Sequence, residues 1–356
     1  MTILDRSKIR PEILESNDNR QKELVPFLTE YLQKKENQQF NFTELWGKNL
    51  DGNAYFFKNG VLDDHLLNLL TQEEVLFLAR FMRANAEQLA VIGQKHRPIA
   101  DDIRIEKIEM DGVPVEWQVG PDAHKDRVFL FIHGGGWVLG SPPEHRQLST
   151  AIGHATKTKV ISADYRLAPE HPYPAALDDC VAVYNQLLSN GTKPENIIIG
   201  GDSAGGNLTL TTLLYLKDHN IPLPAGGVCL APATDLSFSD ESYFARGETD
   251  LVLADLGIFW WCGSFIGHSD VKDPTLSPLF GDLKGLPPLL VQASTSEMLY
   301  SDATRFVEKA LEAGVDVTLQ TWDDIPHVFQ GGDPDVMPEV TDALQKIGQF
   351  VLGLYK

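Results

Sequence analysis

The sequence predicts an α/β protein with a mostly parallel central sheet and helices on both of its faces. Two observations carry this prediction. The first hundred residues show helical patterns alone, whereas from about residue 101 short apolar runs alternate with helix-length segments. Such alternation is typical of parallel strands joined by crossover helices, which bury the sheet on both sides. We therefore expect a helical region over 1–100 and a sheet-forming region over 101–356.

The composition is that of an ordinary globular protein. Of the 356 residues, 43% are hydrophobic and 22% charged, which excludes collagen-like, disordered and disulfide-scaffold classes. The length predicts two domains, or one large domain with an appendage. The formal net charge is −20, of which residues 1–100 carry only −1. An acidic body repels phosphate and anionic lipid, so we expect no nucleic-acid partner and no anionic membrane surface.

The three cysteines, Cys180, Cys229 and Cys262, provide no disulfide framework, and no C-x-x-C pair is present. A reducing compartment is the simpler interpretation, and we expect a cytoplasmic location. The first residues lack the apolar run of a secretory signal. No stretch reaches the ~18 apolar residues that a membrane span requires.

The N-terminal region divides into a polar start and amphipathic helices. Residues 1–20 are polar, and we expect them to be partly loose. Between residues 21 and 35, the apolar side chains fall on one helical face. Thr71 and Glu74 fit a capping box in front of a further apolar helix. These stripes are typical of packing surfaces, although the same segment could also serve as a lid.

The sheet-forming region begins with two predicted strands, 103–109 and 113–119, that pair antiparallel across Asp111 and Gly112. Further strands are predicted at 128–132, 160–163, 197–199, 228–230, 289–293 and 317–321. Nearly sixty residues separate the runs that end at 230 and begin at 289. We expect either a buried helix there or a second cap insertion, at about 235–275. Such an insertion would overhang the carboxyl edge of the sheet, where ligands bind in such folds.

A G-x-S-x-G pattern, formed by Gly201, Ser203 and Gly205, is the strongest chemical motif. It follows the apolar run 197–199 and precedes a helical segment at 208–216. A nucleophile elbow requires this strand–turn–helix context. Small residues let the turn close tightly and keep the serine hydroxyl exposed, while the helix N-terminus favours developing negative charge. The alternative is a plain glycine-rich turn.

Three consecutive glycines follow strand 128–132, in the stretch His133-Gly134-Gly135-Gly136-Trp137. Such a loop can bring backbone N–H groups close to a substrate oxygen. In an acyl transfer, those groups would form an oxyanion hole with the amide of Ala204. A phosphate-cradling loop is the alternative, but neither Gly-Lys-Ser/Thr nor G-x-G-x-x-G is present. We expect His133 itself to be a structural hydrogen-bonding residue.

A serine nucleophile needs a base, and the base needs an acid to orient it. His327 follows the last predicted strand, where the base belongs if the chain order is Ser, acid, His. The acid should come from the loop after strand 289–293, which contains Glu297 and Asp302. We favour Glu297 because it is nearer to the strand end, and Asp302 is the alternative.

Together, these motifs resemble the hormone-sensitive-lipase family of α/β-hydrolases, also called the family IV bacterial-type esterases. The stretches that carry the resemblance are 133–137, 164–179, 201–205, 276–279 and 327–329, and the match covers about residues 100–350. The family commonly has Asp at the position of Ser296, followed by Glu or Pro. Glu297 follows here, and some relatives use that Glu as the acid.

The resemblance implies an α/β-hydrolase catalytic domain with a helical cap. It implies a serine carboxylesterase that hydrolyses short- to medium-chain acyl esters through an acyl-serine intermediate, without cofactor or metal. Ser203 is then the nucleophile and His327 the base. The oxyanion-hole amides come from Gly134, Gly135 and Ala204. A homodimer is the expected assembly, and the predicted substrate contacts are Trp137, Trp260 and Trp261.

Two alternatives remain open for the function. A non-catalytic receptor on the same fold would bind a small apolar ligand under the cap, but such receptors tend to lose the base that His327 supplies here. A long-chain lipase would use apolar cap residues, although no basic amphipathic surface helix is evident. The residues considered for that role are Phe56, Phe57, Phe259, Trp260 and Trp261.

Overall fold

A computed structural model describes residues 4–59, 63–240, 242–254 and 257–355, without the side chains of 56–59, 242, 258 and 259. The apolar cap residues Phe56, Phe57 and Phe259 therefore lie outside the described side chains. Four α-helices precede the sheet in the described part of the chain. They are α1 (Pro11–Gln33), α2 (Phe42–Asn59), α3 (Asp64–Leu67) and α4 (Gln72–His96).

The structure differs from the prediction at the start of the N-terminal region, where residues 1–20 were expected to be partly loose. Helix α1 begins at Pro11, so the second half of the segment expected to be loose is helical. Proline suits this first position because its missing N–H would have no partner there. The capping box of α4 is confirmed, with the Thr71 hydroxyl accepting from the Glu74 amide and the Glu74 carboxylate from the Thr71 amide.

Within the described residues, eight strands form one sheet in the order β1-β2-β4-β3-β5-β6-β7-β8. The first two strands pair antiparallel, as predicted, and β2 pairs antiparallel with β4. All other neighbours are parallel, which confirms the mostly parallel sheet. The strands are β1 (Arg104–Met110), β2 (Val113–Val119), β3 (Val128–Ile132), β4 (Lys159–Ala163), β5 (Ile197–Asp202), β6 (Gly226–Leu230), β7 (Leu289–Ser294) and β8 (Val317–Trp322).

Helices cover both faces of this sheet. Those between and after the strands are α5 (Pro142–Thr156), α6 (Ala175–Ser189), α7 (Ala204–Asp218), α8 (Ser242–Ala245), α9 (Ile258–Ile266), α10 (Tyr300–Glu312) and α11 (Glu339–Leu354). Alternate residues of β3 point to opposite sides: Phe129 and Phe131 join a core with α5 and α11, whereas Leu130 joins a core with α6, α7 and α10. Burial on both faces explains why the central strands read as continuous apolar runs.

The long interval between β6 and β7 contains α8 and α9. Helices α2 and α3 pack against α9, and α4 packs against α5. The N-terminal helices thus contact both the inserted segment and the sheet-covering helices, but the division into cap and catalytic domain stays a prediction. None of the helices in the described ranges combines the length and apolar character that a membrane span requires.

Candidate active site

Four loops meet at the carboxyl edge of neighbouring parallel strands. They follow β3, β5, β7 and β8, and strands β3 and β5 are adjacent, as are β7 and β8. The glycine-rich loop, Ser203, Glu297 and His327 each lie on one of these loops. Because parallel strands end at the same edge, residues far apart in sequence come together here.

Ser203 occupies a strained turn between β5 and α7. Its φ of 53° and ψ of −117° lie outside the regions that most side chains adopt. The turn closes against β3, since a side chain on Gly205 would collide with the carbonyl oxygens of Ile132 and His133. The Ser203 amide donates to the Leu230 carbonyl at 2.7 Å. This is the strand–turn–helix arrangement that the G-x-S-x-G pattern predicts.

Ser203, His327 and Glu297 form a continuous hydrogen-bonded chain. The His327 Nε2 atom lies 2.9 Å from the Ser203 Oγ, and its Nδ1 lies 2.7 Å from Glu297 Oε2. The second carboxylate oxygen, Oε1, accepts from the Ser294 amide at 3.2 Å. Glu297 is fully buried, while His327 and Ser203 are 6% and 8% exposed. A serine, an imidazole and a carboxylate in this order can transfer a proton away from the hydroxyl.

Burial and the carboxylate act in opposite directions on the imidazole. Burial alone lowers the pKa of His327, because it penalises the charged form. The hydrogen bond and negative charge of Glu297, with smaller contributions from Asp250 and Asp202, outweigh it and raise the pKa of His327 above its ordinary value of 6.5. Burial also penalises the charged form of the carboxyl group, and it therefore raises the pKa of Glu297. The hydrogen bond and charge of Glu297 thus stabilise the charged form of the His327 imidazole.

The alternative acid, Asp302, lies elsewhere. Its Oδ2 accepts from the backbone amides of Thr234 and Asp235, and its Oδ1 accepts from the Tyr243 hydroxyl. Burial raises the pKa of Asp302 to about 7. The carboxyl group thus anchors α10 to the loop after β6, and the structure brings Glu297 rather than Asp302 to His327.

The glycine loop departs from the expectation at Gly134. The Gly134 N–H donates to Asp202 Oδ1 at 3.1 Å, so this amide is already committed within the protein. Among the described residues, none accepts a hydrogen bond from the amides of Gly135, Gly136 or Ala204. These three amides are therefore the candidate donors to a substrate oxygen. The structure therefore does not support the expected donor role of Gly134, and the oxyanion hole itself stays a prediction, with Gly136 as the further candidate donor.

His133 is buried, and its described hydrogen bond goes to the backbone and not to Ser203. Its Nδ1 lies 2.8 Å from the Gly134 carbonyl, and its ring stacks on Tyr165. Burial lowers the pKa of His133 to about 3, so the ring is neutral at ordinary pH. This environment agrees with the structural role expected for it.

The three tryptophans expected to contact substrate lie in two places. Trp137 is 3% exposed and stacks on Phe265 with 4.5 Å between ring centroids, so its ring is part of the core. Trp261 packs its ring against Gly136, where a side chain would collide with it. Trp260 meets Trp261 edge-on at 5.7 Å. Trp261 is therefore the tryptophan that borders the glycine loop directly.

Sequence reasoning missed Asp202 and Gly136. Asp202 precedes the nucleophile, and its carboxylate holds the glycine loop through Gly134 while lying 3.6 Å from His145 Nε2. Burial alone would raise the pKa of Asp202, but the positive charge of His145 keeps it below its ordinary value. The Asp-Ser dipeptide and the run of three glycines were the available signals, yet neither says which amide the carboxylate takes.

The arrangement suits nucleophilic acyl transfer. A hydroxyl with an adjacent base, an acid behind that base and nearby backbone donors are the parts that such a reaction requires. In the described part of the chain, no group of three or more His, Cys, Asp or Glu side chains could hold a metal ion.

Known proteins share this architecture. A family described as the α/β-hydrolase fold matches residues 129–331. An acetyl-hydrolase of Streptomyces hygroscopicus is 39% identical over 66% of this chain and 78% of its own length. An esterase of Acinetobacter venetianus is 38% identical over 71% and 83%.

Solved structures agree with these sequence relatives. A crystal structure of an esterase from the bacterial hormone-sensitive lipase family shares 36% identity with a TM-score of 0.75, covering 87% of this chain and 99% of that one. A hormone-sensitive lipase from a metagenome library shares 36% identity with a TM-score of 0.74, over 78% and 92%. The chain therefore belongs to the hormone-sensitive-lipase family of α/β-hydrolases.

Proposed function

We propose that this chain is a serine carboxylesterase that hydrolyses short- to medium-chain acyl esters. The observation that carries the proposal is the hydrogen-bonded chain of Ser203, His327 and Glu297 at the carboxyl edge of the sheet. The names of the relatives, acetyl-hydrolase and esterase, support an ester substrate with a small acyl group.

In the acylation step, His327 Nε2 takes the proton of Ser203 as Oγ forms a bond to the ester carbonyl carbon. The carbonyl electrons move onto oxygen, and the amides of Gly135, Gly136 and Ala204 are the proposed donors to that oxyanion. When the C–O bond to the alcohol breaks, His327 returns the proton to the leaving oxygen. The product of this half-reaction is an acyl-serine.

In the deacylation step, a water molecule repeats the same chemistry. His327 takes a proton from the water as its oxygen attacks the acyl carbon, and the proton passes to Ser203 when the carboxylic acid leaves. Glu297 keeps the imidazole in the required tautomer and stabilises its charged form. The reaction as written needs no cofactor.

The two alternatives are less well supported. A silent receptor has no need of a complete serine, histidine and carboxylate chain, and the relatives carry enzyme names. A long-chain lipase needs an apolar surface that docks on lipid, and the exposed large apolar side chains of the described residues are scattered over several elements. A homodimer and a cytoplasmic location stay predictions.

Hydrolysis of a chromogenic ester series from acetate to palmitate, run beside Ser203→Ala, tests the proposal. We expect serine-dependent turnover that peaks at short or medium acyl chains. The substitution should lower kcat by roughly 10⁴-fold or more, because without the nucleophile only binding and oxyanion stabilisation remain. A peak at long chains would indicate a lipase. Folded protein with no turnover above the variant would favour the receptor.

A further inference from the structure

The segment between β6 and β7 holds the loop that carries Glu297. The guanidinium of Arg246 donates to the Thr295 carbonyl, and the Thr249 hydroxyl donates to the Ser296 carbonyl at 2.8 Å. The Met298 amide, next to Glu297 in sequence, donates to Asp250 Oδ2 at 2.9 Å. The inserted segment thus contacts the acid loop on both sides of Glu297.

Asp250 is the buried member of this set. It is 1% exposed, and its Oδ1 accepts from the amides of Val252 and Leu253 at 2.9 Å each. Both oxygens act only as acceptors, which is what an ionised carboxylate supplies. One carboxylate therefore fixes a turn of the inserted segment and the acid loop to each other.

The charge of Asp250 also reaches the catalytic pair. The charged groups that influence the pKa of His327 are Glu297 in the loop after β7, Asp250 in the inserted segment and Asp202 at the end of β5. Glu297 contributes most, and Asp250 adds to the same direction. Removing the Asp250 charge should therefore make His327 easier to deprotonate.

We propose that Asp250 is a positioning residue that holds the Glu297 loop in register with His327 from the inserted segment. The inference rests on the proposed function, since it assigns Asp250 a part in the same reaction. Asp250 makes no hydrogen bond to Ser203 or His327 in the described structure, so its positioning effect passes through the loop that carries Glu297, in addition to its electrostatic effect on His327. A displacement of about 1 Å in such a catalytic group can lower a rate about 100-fold.

Asp250→Asn tests this role, with Asp302→Asn as the matched control. Asp302 is also a buried carboxyl group that accepts from two backbone amides, but its described hydrogen bonds go to Thr234, Asp235 and Tyr243 and not to residues 295–298. In Asp250→Asn, a side-chain NH₂ replaces one of the two acceptor oxygens. This NH₂ then faces a backbone N–H that the carboxylate had accepted from. We expect kcat to fall about 10- to 100-fold, with KM within about threefold.

The pH profile separates positioning from simple destabilisation. In Asp250→Asn, the acidic limb of kcat/KM should move to lower pH, because a negative charge near His327 is lost. A direct readout is titration of the His327 imidazole by NMR in the substrate-free protein. Asp302→Asn should leave both the limb and kcat near those of the wild type, even if its melting temperature falls.

Each outcome decides between distinct conclusions. Wild-type protein without Ser203-dependent turnover would remove the proposed function, whereas an active wild type with an unchanged Asp250→Asn limb and kcat would overturn only the positioning role. If Asp250→Asn does not fold, Asp250→Glu decides, since it keeps the charge but displaces the acceptors. A kcat for Asp250→Glu equal to that of the wild type would contradict the proposal.

Discussion

At the scale of single residues, His327 connects the chemistry to pH. It must be neutral to accept the Ser203 proton, yet Glu297 stabilises its charged form. Because this raises the pKa of His327 above 6.5, protonation removes the base at a higher pH than it would for an exposed histidine. Activity should therefore be present above the raised value and be lost as the pH falls through it.

Glu297→Gln should move the acidic limb of the pH–rate profile to lower pH and should also lower kcat. The substitution removes the largest influence that raises the pKa of His327 and weakens its orientation. We expect kcat to fall by about 10² to 10⁴, by analogy with loss of the acid in other triads. The measurement is the pH dependence of kcat/KM on a dissolved short-chain ester.

Asp302→Asn provides the comparison for that experiment. Its carboxyl group binds Thr234, Asp235 and Tyr243 rather than His327, so stability should change more than the acidic limb does. A collapse of kcat in Asp302→Asn, with near-normal rates for Glu297→Gln, would reverse the assignment of the acid.

At the scale of secondary-structure elements, Arg83 joins helix α4 to the segment that follows the glycine loop. Its Nε donates to the Val138 carbonyl at 2.7 Å and its Nη2 to the Ala168 carbonyl at 2.8 Å. Both terminal nitrogens also bind the Glu170 carboxylate, at 2.9 and 2.8 Å. One planar guanidinium thus ties the N-terminal region to two loops at the edge of the sheet.

Arg83→Ala should lower kcat at least about tenfold in addition to lowering the melting temperature, because it loosens the chain just after Gly136. Arg83→Lys should recover only part of the rate, since an ammonium cannot reproduce the fork. Exposed Arg80 on the same helix supplies the control, and Arg80→Ala should behave as the wild type. The measurements are kcat well below each melting temperature and thermal unfolding. Equal kcat values for all variants would show that α4 does not support the loop.

At the scale of the whole molecule, the net charge is strongly negative. The chain carries a formal −20, almost all of it after residue 100, where the site also lies. A field of this sign attracts cations and repels anions over distances up to about a Debye length, ~8 Å at physiological salt. Ester substrates with a negative charge should therefore meet the site less often than neutral or cationic ones.

Paired esters of matched size test this effect. We expect kcat/KM for an ester with a quaternary ammonium group to exceed that of its neutral isostere by about two- to tenfold at low salt, with the difference shrinking as salt rises. An anionic ester should show the opposite salt dependence. Identical salt profiles for the three substrates would mean that the net charge does not act on substrate approach.

Much of the fold and of the site could be predicted because the signals are local. The apolar runs mark the strands, and the Gly201–Ser203–Gly205 spacing marks the turn, since a tight strand-to-helix turn admits few residue types. His327 and Glu297 followed from chain order and from the rule that parallel strands end at one edge. The polar composition of residues 1–20 was misleading, because α1 is amphipathic and its polar face meets solvent.

The sequence by itself determined the fold class and the positions of the proposed nucleophile and base, because each depends on short-range pattern and strand order. Only the tertiary structure decided which carboxyl group faces His327, which glycine amide is taken by Asp202, and that Asp250 holds the acid loop. The three hydrogen bonds involved join residues that are between 30 and 68 positions apart in the sequence. Hydrogen bonds need donor and acceptor within about 3 Å, and spacing in the chain does not specify separation in space at that scale.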